Sequence, residues 1–94
     1  MRALEVVHLR MAVDGVADLV DVIRESVGAQ WESMEIRIYR HARLGSDVIV
    51  HLHREIADEH APVSDVGTRL AALLREHGMV EHSVWVEARG RADG

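Results

Sequence analysis

Residues 48–55 read Val48-Ile49-Val50-His51-Leu52-His53-Arg54-Glu55. Val48, Val50 and Leu52 fall on one side of an extended chain, and Ile49, His51, His53 and Glu55 on the other. Strict alternation with one apolar side is the signature of a half-buried strand. Leu44-Gly45-Ser46-Asp47, just before it, reads as a hairpin turn. Residues 33–42 alternate in the same way, with Met34, Ile36 and Ile38 opposite Glu35, Arg37, Tyr39 and His41. The centre of the chain is therefore an antiparallel hairpin with one face to bury.

The segments on either side say what buries it. Residues 3–12 alternate, with Val7, Leu9 and Met11 facing one way and Leu4, Val6, His8 and Arg10 the other. Val16, Leu19, Val20, Ile23 and Val27 then recur at helical spacing, predicting a helix over 15–27. Asp14 is placed to cap its start, Asp18 falls in its first turn, and Gly28 is placed to cap its end. After an acidic connector, Ala57 to Pro62, Ser64 is a fitting N-cap for a second helix. Val66, Leu70, Leu73 and Leu74 form its apolar stripe, His77 lies in its last turn and Gly78 stops it. A last strand over 81–89 sets Val84, Val86 and Ala88 opposite Ser83, Trp85 and Glu87, and Arg89–Gly94 reads as a frayed tail.

The order β-α-β-β-α-β around a central hairpin predicts a ferredoxin-like α+β fold. Its four-stranded antiparallel sheet has the order 4-1-3-2, with both helices on one face. The helix side collects Val7, Leu9, Met11, Ile36, Ile38, Val48, Val50, Leu52, Val84 and Val86. The 94 residues form one such domain.

Composition narrows the function classes. The chain is 48% hydrophobic with net charge −5 and no cysteine. All eleven basic residues are arginine, scattered among sixteen acids, so no cationic cluster marks a nucleic-acid binder. The all-arginine usage with abundant Ala and Val points to a GC-rich bacterial source. Glu5, His8 and Arg10 interrupt any apolar signal core, and no run approaches the ~20 apolar residues of a membrane span. The expected setting is cytoplasmic, with no membrane partner.

The open sheet face carries the candidate site. It is expected to gather His8, Arg10, Arg37, Tyr39, His51, His53 and Trp85 as ligand-binding residues, with Glu35, His41 and Glu87 beside them and Leu4, Val6 and Ile49 among them. Trp85, Ile49 and Val6 together are more apolar surface than a monomer leaves wet. A second copy of the chain, face to face, is the expected cover, with a small organic ligand at the face or in the cavity between. Trp85 suits stacking on a ligand or anchoring a partner subunit, and Trp31 a plug at the end of the core. His41, His60 and His82 are read as surface residues.

A three-histidine metal site can be drawn from His51, His53 and His8. Arg10 and Arg37 cannot accept a bond from a ligating imidazole, and they bring positive charge to the place a dication would occupy. Glu35 and Glu87 serve more simply to neutralise those arginines. The expectation is a protein with no metal and no cofactor.

The segment order, the length and four stretches resemble the dimeric α/β-barrel superfamily, whose small members include the antibiotic-biosynthesis-monooxygenase-like proteins. The stretches are Val6-Val7-His8-Leu9-Arg10, Met34 to Arg40, Val48-Ile49-Val50-His51-Leu52 and Ser83-Val84-Trp85-Val86-Glu87. The resemblance implies a sheet-to-sheet homodimer and, in its active members, cofactor-independent monooxygenation of polycyclic aromatic substrates or haem degradation. Asn and Trp residues recur in those active members. This chain has no asparagine and no tryptophan in its second helix, so no catalytic residue carries over. ACT-like regulatory domains share the segment order and bind small molecules at subunit interfaces, so a regulatory ligand-binding role is a further alternative. Fold alone does not choose among these.

Overall fold

The computed structural model describes residues 1–10, 16–28, 34–57, 60 and 63–88, with backbone alone at 16–18. Among the described residues four strands and two helices follow in the expected order: β1 (Arg2–Arg10), α1 (Val16–Val27), β2 (Glu35–Arg40), β3 (Val48–Glu55), α2 (Asp65–Leu74) and β4 (Met79–Val86). The strands form one antiparallel sheet of order β2-β3-β1-β4. The fold is the ferredoxin-like α+β arrangement that the alternating segments predict.

Both helices lean on the same side of the sheet. Leu19, Ile23 and Val27 of α1 and Val66, Leu70, Ala71 and Leu74 of α2 are buried with Val7, Leu9, Ile36, Val48, Val50 and Leu52 of the strands. The end of α1 and the start of α2 fall where the sequence says, whereas α2 stops at Leu74 with Arg75 as its C-cap, so His77 and Gly78 lie in the turn beyond it. The Ser64 side chain accepts from the Gly67 amide at 3.0 Å, satisfying one of the donors that a helix start leaves open. Gly28 takes φ +53°, a conformation costly for any residue with a Cβ, and its amide donates to the Arg24 carbonyl. In the hairpin, the His41 amide donates to the Asp47 carbonyl, and the amides of Arg43 and Leu44 donate to His41 Nδ1.

Strand ends differ from the alternation pattern by a few residues. β4 begins at Met79, because Met79 pairs with Arg10 at the far end of β1. Its ladder stops at Val86, opposite Ala3, and beyond it the Glu87 amide still donates to the Arg2 carbonyl. Met11, the Asp14 cap, Gly15, Trp31, the Asp58-Glu59 run, Pro62 and Arg89–Gly94 lie outside the described residues, as do the side chains of Val16 and Asp18. No helix among the described residues is long and apolar enough to cross a membrane.

Candidate functional site

The register fixes what lies beside what on the open face. Tyr39, Ile49, His8 and Glu81 form one row across the sheet. Arg37, His51, Val6 and Ser83 form the next, and Glu35, His53, Leu4 and Trp85 the third. All seven residues named from the sequence (His8, Arg10, Arg37, Tyr39, His51, His53, Trp85) belong to this face. They do not converge on one point. Tyr39 and Trp85 stand at opposite corners, separated by the two middle strands.

Two histidines and the tyrosine form one ring cluster. The Tyr39 and His51 rings lie 4.9 Å apart at 59°, and the His51 and His53 rings 6.1 Å apart at 69°. His51 is half-buried. That desolvation pushes its pKa below the ordinary histidine value, and the neighbouring His53 pushes in the same direction. The imidazole is thus favoured in its neutral form. Arg37 holds Glu35 at 2.9 Å, and Glu35 first and Tyr39 second raise the guanidinium's pKa further.

His8 stands one row away from His51, opposite Ile49, and faces acids instead. Its Nε2 lies 3.3 Å from Asp47 and its Nδ1 4.0 Å from Glu81, which also holds Arg10 at 3.4 Å. Among the described residues, no group of three or more His, Asp or Glu side chains is arranged to hold a metal ion.

The third row is the most apolar. Trp85 is 63% exposed, and its indole N–H donates to Ser83 Oγ at 2.9 Å, fixing the ring across the surface. With Leu4, His53, Arg2 and Glu87 it lines a shallow cavity of about 270 Å³. A second concavity of about 530 Å³ runs along the outer edge of β2 under α1, lined by Val20, Ile36, Ile38, Arg24, Arg37, Tyr39 and Arg40. Arg37 and Tyr39 therefore border both the open face and the gap between helix and sheet.

Charged pairs rim the face. Arg2 lies 3.8 Å from Glu35 and 3.7 Å from Glu55, completing a border with the Arg37–Glu35 and Arg10–Glu81 pairs.

On the opposite side of the sheet the structure holds a polar cluster absent from the sequence reading. Glu5 is 0% exposed. Its two oxygens accept from the Ser64 amide at 3.1 and 3.2 Å. His82 Nε2 lies 2.5 Å from Oε2, and Arg54 Nε 3.4 Å from Oε1. His82, read from its position as a surface residue, is in fact only 12% exposed on the helix side. The signal was parity. Glu5 shares the side of Val7 and Leu9, Arg54 that of Val50 and Leu52, and His82 that of Val84 and Val86.

No protein-family model matches the chain, and no curated protein and no solved structure matches it either.

Proposed function

We propose that the chain is a homodimeric small-ligand-binding protein, with the open sheet face closed by a second copy and an organic ligand held against Trp85, Leu4 and His53. The observation that carries this reading is the anatomy of the face: an apolar strip running from Trp85 at one corner through Leu4, Val6 and Ile49, flanked by charges most of which are paired within the chain. Protein interfaces likewise join apolar contact to a polar border, and a second copy would cover ion pairs already formed within the chain. Four strands at ~4.8 Å and eight residues at ~3.3 Å give a flat area of about 500 Å². That is the same order as the ~800 Å² per partner of a stable interface. The resemblance to dimeric α/β-barrel proteins supports the same pairing.

Sedimentation at micromolar concentration tests the reading. The expected species has twice the 10.5 kDa chain mass, and Trp85→Glu returns it to monomer. A folded monomer of the wild-type chain would refute it. For the ligand, 8-anilinonaphthalene-1-sulfonate serves as an apolar probe. It is expected to bind the dimer with less than one molecule per chain in Trp85→Glu.

A second reading is favoured by one observation, the His51 imidazole kept neutral beside Tyr39. A neutral imidazole can take the proton of a phenolic substrate, the first demand of cofactor-independent oxygenation of an aromatic ring. Oxygen uptake with an aromatic hydroquinone, lost in His51→Ala, would make this the leading function.

A further inference from the structure

We propose that Glu5, Arg54 and His82 form a proton-sensitive clasp that seats the first turn of α2 on the sheet. The inference does not rest on the open-face reading. Three neighbouring strands each turn one polar side chain toward the helices, β1 Glu5, β3 Arg54 and β4 His82, and the three meet at one carboxylate. The register sets them diagonally: Arg54 pairs with Ala3, two residues before Glu5, and His82 with Val7, two residues after it. The helix supplies the fourth partner. The Ser64 amide, at the N-cap, donates to both carboxylate oxygens.

The helix is also shaped for this contact. A Cβ at Gly67 would overlap Glu5 Oε2 outright and come within 2.6 Å of Glu5 Cδ and 2.9 Å of His82 Nε2. Glycine lets the first turn of α2 settle directly onto the carboxylate. An apolar residue at position 5 would hold the same layers together without desolvating a charge. What the carboxylate adds is a contact that depends on its own protonation.

The change at the clasp is one proton on Glu5. Ionised, the carboxylate accepts from Ser64 N–H and from His82 Nε2–H and lies in ion-pair range of the Arg54 guanidinium. Protonated, one oxygen becomes a donor among donors and the attraction for Arg54 and His82 is lost. His82 can donate through Nε2–H when charged, or when neutral in the tautomer that carries its proton there, so the hydrogen bond itself requires only an ionised Glu5. Asp65 in the first turn of α2, His60 before it, and Asp21, Arg24 and Glu25 of α1 are exposed, while Asp58 and Glu59 lie outside the described residues. The clasp lies back to back with the open face, since Leu4, Val6, His53 and Ser83 adjoin its members along the chain and point the other way.

Amide hydrogen exchange of the full ¹⁵N-labelled chain tests this, read from neutral pH down to the onset of global unfolding and corrected for intrinsic exchange. Protection at Ser64 and Gly67 is expected to fall by about tenfold or more, the equivalent of one charged hydrogen bond. It should do so while Val7 and Val50 in the sheet stay protected. In Glu5→Gln the two helix amides should already exchange fast at neutral pH and lose the acid dependence. Ser64 and Gly67 losing protection only together with the sheet would overturn the proposal, as would wild-type protection and pH profile in Glu5→Gln. Should Glu5→Gln fail to fold, the wild-type profile decides alone.

Discussion

Gly67→Ala is the sharpest test of how α2 sits on the sheet. In an exposed helix the change gains about 1 kcal/mol of helix propensity. Here the new methyl meets the Glu5 carboxyl group and His82 Nε2. Both are ends of side chains, which on a surface would swing away at little cost. Glu5 cannot, because it is wholly buried and held by Ser64, His82 and Arg54. Either the helix lifts, at the ~1–3 kcal/mol of an overpacked core, or the carboxylate leaves its partners, at the ~3–5 kcal/mol of a broken buried pair. After the propensity gain, a net loss of about 2 kcal/mol is expected. In a domain this size that lowers Tm by roughly 8–16 °C. Urea denaturation followed by circular dichroism reads the loss as a lower midpoint at unchanged slope. Gly45→Ala is the control, since nothing lies within 4 Å of a Cβ there. In a Glu5→Ala background the same Gly67→Ala change should cost little or stabilise, exposing the coupling between the two sites. Gly67→Ala equal to wild type or more stable would refute the contact.

Three further outcomes are expected. Leu52→Ala, at a fully buried central position of β3, should cost ~2–5 kcal/mol in the same urea experiment, and a loss under ~1 kcal/mol would count against the core described. His51, whose pKa is lowered by burial and then by His53, should titrate in its imidazole proton shifts below the ordinary histidine value, and His53→Ala should raise it. The unfolded chain binds the His51 proton more readily, so this group costs no stability above the ordinary histidine pKa and lowers it as pH falls through that value; a titration at or above the ordinary histidine value would reject it. Purified protein should carry no stoichiometric zinc, copper or iron, and chelator should leave its Tm unchanged; one metal per chain, lost in His51→Ala, would reverse that.

The fold was legible because each segment keeps one period. From Val48 to His53 the run keeps one wholly apolar side, and Ser64 and Gly28 mark helix ends by chemistry that acts within a turn. Strand ends were less legible, since a strand extends only as far as its partner's ladder. Met79 and Val80 follow Gly78, past the turn after α2, and show little of their own, yet they pair with Arg10 and Leu9. Glu87 continues the alternation but lies past the last paired residue, Val86. The open face was legible for the same reason as the fold, one parity repeated on four strands. The clasp was not, because its parts lie on β1, β3, β4 and the α2 cap, up to 77 residues apart. Read singly, Glu5 looks like a break in an apolar face and His82 like a polar residue near a strand end. Only the register brings them under Gly67.

The two faces also separate what charge does in this chain. The open face has more ion pairs, Arg2–Glu35, Arg2–Glu55, Arg10–Glu81 and Arg37–Glu35, but all are well exposed. Such pairs contribute ~0–1 kcal/mol each and weaken with salt. The single carboxylate beneath α2 is beyond the reach of solvent, so losing any of its partners leaves a buried group unsatisfied. Charge-removing substitutions on the open face should therefore be nearly silent for stability, although that face has the greater number of charges. The same reasoning bears on function. Because the exposed pairs are already satisfied within the chain, they supply little drive to recruit a partner. The surface with a reason to be covered is the apolar and aromatic strip, Leu4, Val6, Ile49 and Trp85. Substitutions along that strip, rather than along its charged border, are the ones that should alter assembly and ligand binding while leaving the fold in place.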